Sequence, residues 1–332
     1  MTLFVGQADV PRLLPMDECI DAVAAALQAL ARGEAVLPLR QVTHLPGGNG
    51  LVATMPAYVA PLRTVGVKAI SVFHGNEGTP FDSHQGAILL FDDAHGRLSA
   101  VVDATAVTSI RTAAASAVAT RALAREDAAL LAIVGTGVQA RTHLEAMLAV
   151  RRIRRVRVCG RDGARARRFA DEAALRHGVP VEVAPSVRDA VRDADIVCTV
   201  TSSAEPVLQG AWIADGAHVN AVGACVPTRR ELDTAAVVRA RLFVDRRESA
   251  LREAGDFLLA RAEGAVDDAH VLAEIGEVLA GHAAGRRTPE EVTLFESLGL
   301  GIEDVAAACV VVRNAEQSGA GTRFELGGAR HG

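Results

Sequence analysis

Glycines at the end of an apolar run are the feature of this sequence with the most recognisable chemistry. The apolar segment Leu130–Val134 predicts a buried strand, and Gly135-Thr136-Gly137 follows it directly. A helical pattern begins at Val138 and runs to Val150. In a strand–glycine–helix turn the backbone can approach a pyrophosphate closely, and the helix end supplies free N–H groups and partial positive charge. The segment therefore favours dinucleotide binding, with Ala140 at the third glycine position, a variant that the fingerprint allows.

Two cations stand where the surrounding pattern is apolar. Lys68 lies within the strand-like run Val65–Phe73, and Arg111 lies near the start of an alanine-rich helical segment. A lysine in such a strand needs an anionic partner or a solvated edge, because an unpaired buried charge is costly. Arginine offers a planar fork for a carboxylate, and charge-assisted hydrogen bonds are strong. Taken singly, each of these residues and Arg40 could equally be a surface cation.

Bulk composition argues against several other classes of protein. The chain has 332 residues, of which 50% are apolar and 23% charged, the balance of a globular protein with room for two domains. A net charge of −5, with arginines spread along the chain, argues against nucleic-acid binding. The sequence has no long apolar span and no signal segment, so we expect a cytoplasmic protein without a membrane partner. Five scattered cysteines with no CxxC spacing predict reduced thiols and no metal site.

The elements that must position these residues change character along the chain. A helix is predicted over residues 17–32, with Asp17 as its cap and Gly33 ending it. Short strands separated by turns follow, which predicts an antiparallel sheet over the first hundred residues. After a long helix at Ala104–Ala124 the pattern alternates between strand and helix, which implies parallel strands with helices on both faces. The early strands are predicted at Gln41–Leu45, Leu51–Tyr58, Val65–Phe73, Gly86–Asp92 and Arg97–Asp103, and the later ones at Ala129–Val134, Arg155–Gly160, Val179–Ala184, Ile196–Thr201, Ala217–Gly223 and Leu242–Asp245; the late helices are predicted at Glu248–Ala262, His270–Gly281 and Ile302–Gln317.

Several short motifs occur together in one order that is highly specific. They are Gly66–Asn76, Thr108–Ala115, Gly135–Ala140, Asn220–Gly223, Arg230–Asp233 and Glu253–Asp256. As a set they resemble the ornithine cyclodeaminase/mu-crystallin family over residues 35–315. The resemblance implies an α/β fold class: a Rossmann NAD(P)-binding domain at residues 121–301, and an α+β substrate-binding and dimerisation domain made of residues 1–120 with 302–332. It also implies a homodimer, with the substrate in the cleft between the domains.

The resemblance assigns roles to individual residues. It implies that Arg40, Lys68 and Arg111 clamp the α-carboxylate of an amino or imino acid, with Met55 and Leu298 also in the substrate site. Lys68 is the best candidate for polarising the substrate or relaying a proton, because a buried lysine shifts its pKa readily. The implied cofactor-binding residues are Ser83, Arg111, Gly135, Gly137, Val138, Gln139, Arg161, Thr201, Val219, Asn220, Ala221, Val222, Arg229 and Ser297.

Two acids that distinguish the cyclodeaminases from their relatives are missing. Ala53 and Cys225 stand at the positions where those enzymes carry carboxylates for the substrate's side-chain amine. A thiol is a weak hydrogen-bonding group and cannot replace a carboxylate as the charged partner of an amine. The chain therefore resembles the ketimine-reductase branch, which reduces Δ1-pyrroline-2-carboxylate and Δ1-piperideine-2-carboxylate to proline and pipecolate. At the position of the catalytic aspartate, Cys225 is expected to shape the pocket rather than to act as a nucleophile.

The second strand of the alternating region carries the cofactor signal. Its tip reads Gly160-Arg161-Asp162. NAD-preferring proteins usually place an acid at this tip to hold the ribose hydroxyls, whereas an arginine can pair with a 2′-phosphate. The sequence therefore favours NADP(H), and Asp162 keeps NAD(H) as an alternative.

Other functions remain open from the sequence. An alanine or opine-type dehydrogenase would act on an open-chain imine and need free amine. An ornithine cyclodeaminase would release ammonia without net consumption of NAD. A non-catalytic binding protein like mu-crystallin would not need to retain Lys68 and Arg111.

Overall fold

The computed structural model describes residues 1–76 and 78–326, and the chain divides into two compact units. Unit 1 contains Met1–Arg111 and the chain from Leu300 onward, and unit 2 contains Thr112–Gly299. The predicted assignment of a substrate-binding domain and a cofactor-binding domain to the two parts of the chain remains a prediction. Residues 327–332, the end of the predicted substrate-binding and dimerisation domain, lie outside the described residues.

Unit 1 is an eight-stranded sheet with helices packed on it. Along the sheet the strands run in the order β16-β1-β7-β6-β5-β4-β2, and β3 also pairs with β4. The first and seventh strands run parallel, so this sheet is mixed rather than antiparallel as predicted. The elements are β1 (Thr2–Val5), α1 (Val10–Leu13), α2 (Met16–Ala31), β2 (Ala35–Val36), β3 (Gln41–His44), β4 (Leu51–Val59), β5 (Thr64–Val72), β6 (His84–Asp92), β7 (Leu98–Asp103), the start of α3 (Ala104–Leu123), α11 (Gly301–Ser318) and β16 (Thr322–Phe324).

Side-chain alternation gives this sheet one buried face. Along one register row the buried residues are Met55, Lys68, Ile88 and Val102, and helix α11 packs on this part of the sheet. Lys68 is therefore a cation in the core of unit 1. The predicted role of Asp17 as a helix cap was wrong, because α2 begins at Met16 after Pro15 and no side chain caps it.

Unit 2 contains a sheet in which every described pairing is parallel. The strand order is β10-β9-β8-β11-β12-β15-β13-β14, with helices in the connections. The first five strands thus follow the order 3-2-1-4-5, which confirms the predicted α/β Rossmann fold. The elements are β8 (Leu130–Val134), α4 (Val138–Val150), β9 (Arg155–Cys159), α5 (Gly163–His177), β10 (Val181–Val183), α6 (Val187–Val191), β11 (Ile196–Thr199), β12 (His218–Ala221), α7 (Thr234–Arg239), β13 (Arg241–Val244), α8 (Arg247–Glu253), α9 (Gly255–Ala262), β14 (Val271–Glu274), α10 (Ile275–Leu279) and β15 (Thr293–Glu296).

Two predicted helices of unit 2 were wrong in part. The segment predicted as one helix over Glu248–Ala262 is broken before Gly255, where a Cβ would lie 1.8 Å from the carbonyl oxygen of Arg229. The chain passes so close to that loop that a continuous helix cannot form. The segment predicted as a helix over His270–Gly281 instead holds β14 and the short α10, because Val271 and Ala273 alternate inward as in a strand.

Candidate active site

The turn after β8 requires glycine for steric reasons. Gly135 has a φ of +125°, and a Cβ there would lie 2.7 Å from the carbonyl oxygen of Val200. Gly137 is the N-cap residue of α4, and a Cβ on it would meet no atom within 4 Å. No side chain caps the first N–H groups of α4, which begins at Val138. An uncapped helix N-terminus beside open space can bind a phosphate group.

A cavity of about 190 Å³ adjoins this turn and is rich in arginine. The guanidinium of Arg141 hydrogen-bonds Glu172 at 2.5 Å, and its central carbon lies 5.7 Å from the centre of the Phe169 ring. These contacts hold Arg141 in place at the cavity. The surplus of positive charge suits a phosphate, which arginine binds through charge-assisted hydrogen bonds. The cavity is lined by Thr136, Gly137, Val138, Arg141, Arg165 and Arg168.

The tip of β9 uses its acid for helix capping. Asp162 is the N-cap residue of α5, and its Oδ1 accepts the backbone N–H groups of Ala164 at 2.8 Å and Arg165 at 3.0 Å. The hydrogen bond from Arg165 holds the pKa of this carboxyl below its ordinary value. Arg161 is exposed beside it. The carboxylate that could have held ribose hydroxyls thus serves the helix, while the neighbouring guanidinium stands in solvent.

Buried carboxylates fix the loops that follow β11, β12 and β15. Glu231 accepts the backbone N–H groups of Thr201 at 2.6 Å and Gly223 at 2.7 Å. Oδ2 of Asp245 accepts the backbone N–H groups of Leu298 and Gly299, each at 2.7 Å. The carboxyl ends of parallel strands lie at one edge of a sheet, and ligands of open α/β sheets bind outside that edge. The two acids therefore order the rim of a candidate ligand site.

The other predicted cofactor residues of unit 2 lie within strands of the parallel sheet or in the segments that follow them. Strand β12 contains Val219, Asn220 and Ala221, all buried, and Val222 follows them. The amide of Asn220 donates to the hydroxyl of Thr120 at 2.9 Å, so this side chain fixes α3 to the strand. Within the described chain the buried hydroxyl of Ser297 has no hydrogen-bond partner. Val138 is exposed at the start of α4, and Gln139 and Arg229 are half-buried.

The thiol of Cys225 connects two of these loops. Its Sγ lies 3.2 Å from the carbonyl oxygen of Val222 and 3.6 Å from that of Ser297. The single S–H group can donate to either carbonyl, so the thiol lies between the turn after β12 and the turn after β15. This arrangement fits a residue that shapes a pocket.

The buried cations of unit 1 are paired with two acids of α11. The Nζ atom of Lys68 lies 3.0 Å from Oδ1 and 2.8 Å from Oδ2 of Asp304. Arg111 donates from Nε to Oδ1 of Asp304 and from a terminal nitrogen to Oε2 of Glu303, each at 2.8 Å. Asp304 therefore bridges the two cations, and the anionic partner that Lys68 requires comes from its own chain.

The two cations respond differently to this setting. Burial, followed by the charge of Arg111, lowers the pKa of Lys68 to about 8, although Asp304 opposes the shift. Burial also disfavours the charge of Arg111, but Asp304 and Glu303 outweigh it and raise the pKa of this guanidinium. Lys68 can therefore exchange a proton near neutral pH, whereas Arg111 keeps its charge.

Two other predicted substrate residues of unit 1 are related to Lys68, Met55 by strand pairing and Arg40 by the effect of its charge. Met55 is its direct neighbour across β4 and β5, and Ala53 is buried in the same strand as Met55. Arg40 is half-buried before β3, and its charge contributes to the lowering of the Lys68 pKa. Ser83, predicted to bind the cofactor, is half-buried before β6, and its hydroxyl lies 2.9 Å from Nδ1 of His84.

The carboxylates that organise both units were not predicted from the sequence. Glu303 and Asp304 are fully buried on α11, where acids in a first helical turn are ordinarily read as partners of the helix dipole. The sequence signal that could have revealed them is that most of the other residues in Gly301–Ala308 are apolar. Glu231 and Asp256 lay within motifs that suggested the family, yet nothing local revealed what they bind.

Residues 1–76 and 78–326 lack two other kinds of feature. No helix there is long and apolar enough to cross a membrane. No group of three or more histidine, cysteine or acidic side chains there is arranged to hold a metal ion.

Comparison with known proteins identifies the family. The sequence model of the ornithine cyclodeaminase/mu-crystallin family matches residues 1–319. The chain belongs to this family. Within it, the chain is 40% identical over 279 residues to the ketimine reductase mu-crystallin of Mus musculus. The aligned residues make up 84% of this chain and 85% of the mouse protein.

Solved structures of family members share the whole fold. The Δ1-pyrroline-2-carboxylate reductase of Thermococcus litoralis, in complex with NADH and L-proline, superimposes with a TM-score of 0.95 at 37% identity, covering 97% of this chain and 100% of that chain. An archaeal alanine dehydrogenase dimer with bound NAD superimposes with a TM-score of 0.93 at 34% identity, covering 98% and 99%. Both of these family members bind a nicotinamide dinucleotide.

Proposed function

We propose that this protein reduces cyclic imino acids such as Δ1-pyrroline-2-carboxylate and Δ1-piperideine-2-carboxylate to L-proline and L-pipecolate. The observation that carries the proposal is the buried pair Lys68 and Arg111, both held by carboxylates in the core of unit 1. Such cations suit the carboxylate of a small substrate. Similarity to a mu-crystallin ketimine reductase and to a Δ1-pyrroline-2-carboxylate reductase supports the same chemistry.

The residues of the chain fit a nicotinamide cofactor. The glycine turn at Gly135 and Gly137 and the uncapped start of α4 would hold its pyrophosphate. When bound, a reduced nicotinamide supplies the hydride that carbon C2 of the protonated imine accepts. The electron pair of the C=N bond then stays on nitrogen, which already carries its proton. Lys68 and Arg111 would orient the substrate carboxylate, so that positioning supplies much of the rate.

A coupled assay tests this function directly. Purified protein is mixed with Δ1-pyrroline-2-carboxylate and either NADPH or NADH, and loss of the reduced nicotinamide is followed. Oxidation in proportion to proline formed is expected. No oxidation with either nicotinamide would rule the proposal out. Turnover that requires pyruvate and free amine would indicate an alanine or opine-type dehydrogenase, and ammonia released from ornithine would indicate a cyclodeaminase.

NADP(H) is the favoured cofactor, and NAD(H) is the alternative. Arg161 is exposed at the tip of β9, and Arg165 and Arg168 line the cavity beside the glycine turn. The acid of this tip, Asp162, is occupied by capping α5. These three guanidinium groups suit a 2′-phosphate, whereas Oδ2 of Asp162, which accepts neither capping bond, keeps NAD(H) as the alternative.

The preference is testable with Arg161→Ala. Loss of one charge-assisted contact to a phosphate is worth about 1.5–3 kcal/mol, so KM for NADPH should rise roughly tenfold or more. KM for NADH should hardly change, because NADH has no 2′-phosphate. Arg188→Ala, a cation on the separate helix α6, is the matched control. An equal effect of Arg161→Ala on both nicotinamides would contradict the assignment.

A second copy of the chain is the expected partner. The face of the unit 1 sheet opposite Lys68 carries an apolar row across neighbouring strands: Pro56, Val67, Leu89, Val101 and Phe4. Phe4 at one end of this row is 43% exposed. A contiguous apolar row on a sheet marks an interaction surface. The family resemblance points to a homodimer through this domain.

A further inference from the structure

Asp304 lies between the two cations on which the proposed function rests. Its oxygens contact Nζ of Lys68 at 2.8 and 3.0 Å and Nε of Arg111 at 2.8 Å. All three side chains are almost completely buried. A carboxylate in this place holds the ammonium and the guanidinium close together, because both make charge-assisted hydrogen bonds to it.

The ion pairs leave donors on both cations. The contacts with Asp304 and Glu303 use Nε and one terminal nitrogen of Arg111. A guanidinium carries five N–H groups and an ammonium three, so further N–H groups remain for another anion. The acids therefore take part of the hydrogen-bonding capacity of the cations and direct the rest elsewhere.

Helix α11 brings the acids to this place. Gly301 begins the helix, and a Cβ there would lie 3.0 Å from the carbonyl oxygen of Met55 and 3.2 Å from that of Pro56. This close approach sets the first turn of α11 directly against β4. Glu303 and Asp304 follow in that turn, where the helix dipole also favours negative charge.

We propose that Asp304 and Glu303 are positioning residues of the substrate site, which orient Lys68 and Arg111 toward the substrate carboxylate, and that Asp304 keeps Lys68 protonated. The proposal rests on the proposed function. It assigns distinct tasks to the two acids: Asp304 contacts both cations, whereas Glu303 hydrogen-bonds Arg111.

The charges around Lys68 explain why it needs Asp304. The charged groups acting on this lysine are Arg40 and Arg111, which disfavour its ammonium form, and Asp304, which favours it. Glu303, next to Asp304 in the chain, forms its ion pair with Arg111. The Cys19 thiol stays protonated because burial raises its pKa. Removing the negative charge of Asp304 would leave two guanidinium groups acting on a desolvated ammonium. Lys68 would then lose its proton at lower pH.

Kinetics across pH test the two assignments. Asp304→Asn should lower kcat/KM for Δ1-pyrroline-2-carboxylate at least about tenfold and move the alkaline limb of the profile to lower pH. Glu303→Gln should raise KM severalfold without moving that limb. Glu316→Gln, at the exposed end of the same helix and paired with Arg323, is the matched control. A drop in Asp304→Asn that is equal at every pH would show a merely structural role and overturn the proposal.

A binding measurement separates this proposal from the proposed function. Pyrrole-2-carboxylate is a planar carboxylate mimic whose binding by calorimetry needs no turnover. If the wild type binds it but oxidises no nicotinamide with any cyclic imine, the proposed function fails while the positioning role is still tested by the pH dependence of binding. Equal affinity and equal pH dependence in wild type and Asp304→Asn would overturn the positioning role, as would a wild type that does not bind the mimic.

A second variant covers the case in which Asp304→Asn does not fold. Asp304→Glu keeps the charge and moves the carboxylate by one methylene. Reduced kcat/KM with an unmoved alkaline limb would support the proposal, because orientation is changed and charge is not. Unchanged kcat/KM in that variant would overturn it.

Discussion

At the residue scale, Lys68 combines burial, a lowered pKa and a fixed counter-charge. It is 2% exposed, and its ammonium contacts both oxygens of Asp304. A group with a pKa of about 8 is mostly protonated at neutral pH yet can release a proton readily. Substrate orientation and proton movement can therefore reside in one side chain.

Replacing Lys68 with alanine separates an enzyme from a binding protein. Lys68→Ala should lower kcat/KM for cyclic imines at least about 100-fold, because a charge-assisted contact and a proton source are lost together. NADPH binding, measured by nicotinamide fluorescence, should be largely retained. Arg63→Ala is the control, an exposed cation of unit 1 paired with Asp93. Undiminished turnover in Lys68→Ala would remove this lysine from the mechanism.

The same variant carries a stability cost that must be measured beside activity. Breaking a buried ion pair typically destabilises by about 3–5 kcal/mol, and the cost here should be smaller because Asp304 keeps its hydrogen bond from Arg111. Thermal unfolding of Lys68→Ala should therefore shift downward. Lys68→Met/Asp304→Asn removes both charges and should recover much of the loss, which leaves the kinetic comparison interpretable.

At the element scale, Asp256 holds the segment that carries Glu231. Its Oδ1 accepts the backbone N–H groups of Glu231 and Leu232, each at 2.8 Å. Burial, followed by the charge of Glu231, raises the pKa of Asp256 to about 8. Glu296 on β15 is also fully buried, and burial together with the charges of Asp256 and Asp245 raises its pKa. Asp256 and Glu296 are therefore buried acids that tend to keep their protons.

A raised pKa makes stability fall as pH rises. The unfolded chain loses the Asp256 proton near pH 4, whereas the folded chain keeps it until about pH 8. Between these values the unfolded state binds fewer protons, so the free energy of unfolding decreases with increasing pH and levels off above pH 8. Asp256→Asn retains an oxygen for both N–H groups and removes this titration. Its melting temperature should vary less between about pH 5 and pH 8 than that of the wild type.

A matched substitution controls for the change from acid to amide. Asp233 is half-buried and also accepts two backbone N–H groups, from Gly210 and Ala236. The melting temperature of Asp233→Asn, measured over the same pH range, gives the effect of an acid-to-amide change at a capping position. Parallel curves for wild type and Asp256→Asn would show that another group titrates.

The elements show how far the sequence leads. Periodicity located β8 and α4 within a residue, because a buried parallel strand and a glycine turn leave strong local signals. It missed β15, which is only four residues long. Thr293 and Glu296 are buried polar residues at its two ends, so the sequence shows no apolar run long enough to predict a strand. The positions of Lys68 and Arg111 could be predicted from their apolar context. Their partners Glu303 and Asp304 could not, since the ion pairs span 192 or more residues of chain.

At the scale of the whole molecule, the apolar row on the unit 1 sheet predicts self-association. Leu89 lies in the middle of this row, between Val67 and Val101. Leu89→Glu places a charge there and should convert a dimer to a monomer, measured by light scattering coupled to size exclusion. Leu175→Glu, on the exposed surface of α5 at 89% exposure, is the control and should leave the mass unchanged. A wild type of monomeric mass would refute the homodimer.

The capping of α5 by the acid at the tip of β9 constrains any redesign of this protein. Exchanging Asp162 to alter coenzyme choice would also remove the N-cap of α5, at a cost of about 1 kcal/mol. A substitution at that position would thus change coenzyme selectivity and the stability of the fold together. At Arg161, which the structure leaves in solvent beside it, the two properties can be varied separately. Mutant libraries aimed at swapping one dinucleotide for the other should therefore randomise the arginine and preserve the aspartate.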